Sequence, residues 1–112
     1  MKYSRKNENG VYIDYEQIVL WKNGANFFAV EITFTPEGYR GVLYYWYKRM
    51  GSCFPITDKY VPYSNKEQCI YNVIKNAYKE YCIDYYVKNE PKMIEILRRL
   101  MGKYQCSQLE LF

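Results

Sequence analysis

The stretch from Phe28 to Thr35 constrains the fold of this chain more than any other. Phe28, Val30, Ile32 and Phe34 alternate with Ala29, Glu31, Thr33 and Thr35, the period-two pattern of a strand that buries one face. Turn chemistry brackets it on both sides. Asn23-Gly24 offers the positive φ of a tight hairpin before it, and Thr35-Pro36-Glu37-Gly38 puts Pro and Gly where a turn takes them after it. The chain enters and leaves this strand by reversals, which predicts antiparallel neighbours. The first lies between Val11 and Trp21, rich in β-branched and aromatic residues, and the third runs from Arg40 to Lys48. On the third, Val42, Tyr44 and Trp46 share one face, and Leu43, Tyr45 and Tyr47 the other. A short fourth strand is expected around Cys53 to Thr57, kept to an edge by Pro55.

Helical spacing replaces this alternation after the loop at Val61-Pro62-Tyr63. Ser64 and Glu67 match a capping box, and Ile70, Val73, Ile74, Ala77, Tyr81 and Tyr85 then recur at three- and four-residue steps opposite Asn72, Lys75, Asn76 and Lys79. Asn89-Glu90-Pro91 opens a second helix with an apolar stripe of Met93, Ile94, Leu97, Leu100 and Met101, and Gly102 is its expected stop. Strands followed by helices predict an α+β fold, an antiparallel three- to four-stranded meander followed by two helices packed on one face. The expected organisation is a flexible basic arm over 1–10, a single α+β domain over 11–102 and a C-terminal tail over 103–112.

Composition removes several classes of function. The longest candidate for a membrane segment, Val42 to Tyr47, has six residues where about 20 are needed, and no apolar secretory segment follows Lys2, Arg5 and Lys6. The expectation is a cytoplasmic protein. Its four cysteines, Cys53, Cys69, Cys82 and Cys106, form no Cys-x-x-Cys pair, and histidine is absent, so no zinc site, other metal site or cofactor is predicted. The thiols read as small buried hydrophobes. Without histidine, the commonest general base and the usual partner of a nucleophilic serine or cysteine are missing, and a non-enzymatic role is expected. The remaining catalytic candidate is a carboxylate set, Asp14, Glu16 and Glu31, which neighbouring strands would have to gather around a metal for phosphodiester cleavage.

The sharpest partner signal is Gln108-Leu109-Glu110-Leu111-Phe112. It resembles the Gln-Leu-x-Leu-Phe peptide by which many bacterial polymerases, repair factors and mobile-element proteins dock on the DNA polymerase sliding clamp. All four fixed positions match, a coincidence expected on the order of once in several tens of thousands of windows. The resemblance covers five residues and implies a partner, not a fold. It implies that Leu111 and Phe112 enter one apolar pocket, Leu109 a neighbouring depression, and that the Gln108 amide bonds at the rim. Such an anchor supports about 8 kcal/mol, near micromolar affinity. The alternative is that Leu109, Leu111 and Phe112 pack back onto their own domain.

A second signal is aromatic and basic. Fifteen tyrosines and a net charge of +4 suggest a nucleic-acid-binding sheet face built from Arg40, Tyr45, Tyr47, Lys48 and Arg49, with Arg98 and Arg99 of the last helix, beside Lys92 and Lys103, touching phosphates. The plainer reading is cross-strand packing of Tyr and a solvated charged helix face. A third reading is a phage-type inhibitor of a host protein whose tail occupies the clamp.

Overall fold

The computed structural model describes residues 3–48, 50–83 and 91–109. Four strands, β1 (Glu16–Asn23), β2 (Asn26–Thr35), β3 (Gly38–Tyr47) and β4 (Met50–Ser52), precede two helices, α1 (Lys66–Ile83) and α2 (Pro91–Leu109). The sheet is an antiparallel meander in the order β1-β2-β3-β4. The α+β architecture is the expected one. Differences lie at the edges of elements and at the chain's beginning.

Both principal reversals are two-residue turns. Asn23 pairs with Asn26 around Gly24-Ala25, with Gly24 at φ 62°, and Thr35 pairs with Gly38 around Pro36-Glu37. A register shift between Val19 and Trp21 interrupts β1. Such a bulge lets Leu20 and Trp21 both lean on the core, which strict alternation forbids. The fourth strand forms at Met50–Ser52, ahead of the expected place, because Lys48 turns the chain directly after β3 at φ 45° and its N–H bonds Asn26 Oδ1 at 3.1 Å.

Phe28, Val30 and Ile32 of β2 face the helices with Tyr45 and Tyr47 of β3, and meet Cys69, Ile70 and Ile74 of α1. Met93, Leu97 and Leu100 of α2 complete this core. Each such side chain removed from water stabilises the fold by about 1.5–3 kcal/mol. The helix start is set one residue later than the capping box suggested. Asn65 Oδ1 accepts the Gln68 N–H at 2.7 Å, whereas Ser64 Oγ is bonded to Gln68 Oε1. Helix α2 continues through Gly102 to Leu109 rather than stopping there. A glycine inside a helix costs only about 1 kcal/mol, which the flanking Leu100, Met101 and Tyr104 contacts offset.

The opposite sheet face carries a second, smaller core of Tyr12, Val42 and Ile56 with Tyr60 packed against it. It is built by the loop after β4 and by the start of the chain. The expected free arm is in fact tied down over its described part. Asn7 Oδ1 accepts the N–H groups of Asn9 and Val11, Lys6 bridges to Tyr12, and Ser4 N–H bonds the Phe34 carbonyl at 2.8 Å. Arg5 closes the hairpin with a two-pronged bond to Asp14, Nε to Oδ2 at 2.9 Å and Nη2 to Oδ1 at 3.0 Å.

Gly38 is a tightly enclosed backbone position of the sheet. Its φ is 139°, and a Cβ there would stand 2.5 Å from the Tyr63 carbonyl oxygen. Strain of this kind costs about 1–3 kcal/mol before the collision is counted. Gly38→Ala should therefore lower the melting temperature by roughly 5–15 °C in a calorimetric scan, whereas Gly102→Ala, with open space around it, should not lower it.

Candidate functional site

The structure separates the residues of the aromatic and basic set. Tyr45 and Tyr47 are 9% and 4% exposed and lie inside the helix-covered core, stacked on Phe28 at centroid distances of 5.6 and 6.2 Å. They present no ring to a base. Arg40 is on the other face and buried. Its Nη1 donates to the Asp58 carbonyl at 3.1 Å and to the Tyr60 carbonyl, while Glu37 and Asp58 carboxylates lie 3.5 and 3.9 Å from the guanidinium. Arg40 fastens the loop after β4 with a guanidinium already engaged within the molecule. Lys48 is exposed with its Nζ 5.8 Å from the Tyr47 ring, and Arg49 lies outside the described residues. Arg98 and Arg99 project from α2, bonded to Tyr78 Oη and Glu95 respectively.

On the Val42 face of the sheet a row of aromatics reaches solvent. Antiparallel partners share a side, so Val19, Lys22, Phe27, Tyr44 and Trp46 line up together past the end of the small core. Phe27 and Tyr44 stack at 5.0 Å, Trp46 is 43% exposed and Val19 54%. Alternation along β3 distinguished the two faces but not which one the helices cover, because both are aromatic. The one available signal was Arg40, whose parity puts a cation on the Tyr44–Trp46 side.

The carboxylate set is not gathered. Asp14 is engaged by Arg5, Glu16 by Lys66 at 2.8 Å, and Glu31 accepts a hydrogen bond from the Cys53 thiol at 3.3 Å. Among the described residues no group of three metal-binding side chains occurs. Cys53 and Cys69 are free thiols. Cys69 is buried as expected and burial pushes it up to about 12; Cys53 is exposed, contrary to expectation, yet partial desolvation and Glu31 still hold it at about 11. Both environments favour the protonated thiol at neutral pH. The side chains of Cys82 and Cys106 lie outside the described residues.

A compact ionic cluster instead fixes the chain's start against the loop. Asp58 accepts from Tyr12 Oη and Lys6 Nζ, both at 2.5 Å. These bonds lower the Asp58 carboxyl, and burial with Asp58 raises the Tyr12 phenol. Asp14, held by the side-chain and backbone bonds of Arg5, is lowered to about 2. The arrangement is structural in its chemistry, since every charged member is already partnered.

Gln108 and Leu109 end α2, and Glu110, Leu111 and Phe112 lie outside the described residues. The last described side chain of α2 on the core is Tyr104. No described helix is long and apolar enough to cross a membrane. Comparison of the chain with protein-family models, curated proteins and solved structures finds no match.

The Arg5–Asp14 contact gives a pH prediction. A carboxyl whose folded value is below its unfolded one stabilises above the unfolded value, and that contribution disappears as pH falls through the folded one. The Asp14 carboxyl carbon should titrate by NMR near 2, and in Arg5→Ala its midpoint should rise toward the model-peptide value of 3.8. An unchanged midpoint in the variant would remove Arg5 as the cause.

Proposed function

We propose that the protein is a small non-enzymatic accessory factor of DNA replication or repair, or of a mobile element, that docks on the DNA polymerase sliding clamp. The observation that carries this reading is the complete match at Gln108, Leu109, Leu111 and Phe112. Binding requires the end of α2 to open, because a pocket-and-rim anchor of this length is read as an extended peptide. Opening one helical turn is a small cost at a terminus, where four carbonyls have no intrahelical partner. Co-elution of the purified chain with a bacterial sliding clamp should be abolished by Leu111→Ala with Phe112→Ala, with thermal unfolding unchanged. A fall in melting temperature with no clamp binding by the parent chain would instead assign these residues to intramolecular packing. Arrest of replication on overexpression would mark the docking as inhibitory.

A second reading rests on the outward ring patch of Phe27, Tyr44 and Trp46. It is a stacking platform for single-stranded nucleic acid, each stacked base contributing about 1–3 kcal/mol. Lys22 is on the same side of the sheet, while Arg40 is already engaged, so binding here would depend only shallowly on salt. An oligonucleotide should quench tryptophan emission in the parent chain and not in Trp46→Phe. Quenching that persists in the variant places the contact elsewhere.

A further inference from the structure

One edge of the sheet is interrupted. Tyr39 exchanges both backbone hydrogen bonds with Tyr63, N–H to carbonyl at 2.7 Å each way. Antiparallel pairing alternates, so the odd-numbered residues of β3 turn their N–H and C=O groups away from β2. Tyr45 and Tyr47 meet Ser52 and Met50 of β4 in this way. Gly41 and Leu43 fall between the two pairings. No described residue takes up their four backbone groups, which open onto a groove of about 370 Å³. Val73, Asn76 and Ala77 of α1 form one wall and Phe54, Lys59 and Tyr60 of the loop the other, with a further 220 Å³ extending past Val61.

We propose that this gap is a docking slot for an extended peptide of a partner protein, with the side-chain order apolar, acidic, apolar over three residues. Outward N–H and C=O groups on alternate residues of one strand are complementary to another strand and to little else. The first and third peptide residues would pair with Leu43 and Gly41. Their side chains would lie on the helix side, where a Cβ on Gly41 would already stand 3.3 Å from Val73 Cγ2, over Val73 and Ala77. The middle residue would sit opposite Val42 and turn to the loop wall. There Lys59 is exposed, its Nζ 5.2 Å from the Tyr60 ring centre, with no described carboxylate in ion-pair reach. That charge selects an acidic middle residue. Phe54 and Val61, 57% and 62% exposed, provide apolar surface at the rim. The slot does not involve the C-terminal peptide, so clamp binding and slot occupancy succeed or fail separately.

The test uses the full chain and three capped synthetic pentapeptides, Gly-Val-Glu-Val-Gly, Gly-Val-Lys-Val-Gly, and the first with both valine nitrogens methylated. In NMR titrations the Glu peptide should shift the amides of Gly41 and Leu43 saturably. The Lys peptide should bind about tenfold more weakly, Lys59→Glu should invert that preference, and the methylated peptide should not bind. In the free protein the Gly41 and Leu43 amides should exchange with deuterium faster than those of Val42 and Tyr44, which face β2. Slow exchange at Gly41 and Leu43, no amide shifts at millimolar Glu peptide, or equal binding of the methylated peptide would each overturn the proposal.

Discussion

The buried guanidinium of Arg40 holds this molecule's second layer in place. It stands on the sheet face away from the helices, where burying a charge is costly unless it is paired and hydrogen-bonded. The Asp58 and Tyr60 carbonyls and Thr35 Oγ1 accept its hydrogen bonds, and the Glu37 and Asp58 carboxylates balance its charge. In doing so they pin the loop after β4 across the sheet. Ile56 then closes over Val42, and Tyr12 of the first hairpin closes over Ile56, its N–H bonded to the Ile56 carbonyl at 2.9 Å. Asp58 accepts from Lys6 and Tyr12 as well, so one loop carboxylate links three segments far apart in sequence. The loop wall of the groove beside Gly41 belongs to this same assembly.

What was legible in the sequence follows from how local each determinant is. The alternation from Phe28 to Thr35 and the two turn dipeptides act over a few residues, and the meander came directly from them. Helix α1 was legible from its periodicity, although the cap fell to Asn65 because its side chain, one residue nearer than Ser64, reaches the Gln68 N–H. Gly102 suggested a stop because glycine ends many helices, but a glycine in helical conformation with apolar neighbours on the core is simply carried through.

Determinants acting across the chain were not legible. The first ten residues are polar, which suggested an arm, whereas contacts such as Arg5–Asp14 and Lys6–Asp58 hold the described ones, from Tyr3 onward. Asn9-Gly10 was a turn signal within that stretch, with Gly10 at φ 78°. Which aromatics the helices cover was hidden for a different reason. Residues Leu43, Tyr45 and Tyr47 and residues Val42, Tyr44 and Trp46 are equally apolar, so pattern alone cannot say which row the helices cover. Pairing decides it, since Tyr45 is opposite Phe28 and Phe28 is in the main core.

The passage of α2 through Gly102 has a geometric consequence. From Tyr104 to Leu109 the backbone advances about 7–8 Å and turns about 500°, at 1.5 Å and 100° per residue. Length along such a shaft is also azimuth. Two residues inserted after Tyr104 would lengthen it by only about 3 Å but swing whatever follows through about 200°, to the far side of the axis. Any group carried on the helical backbone beyond such an insertion would face a different flank of the domain with each change in residue count.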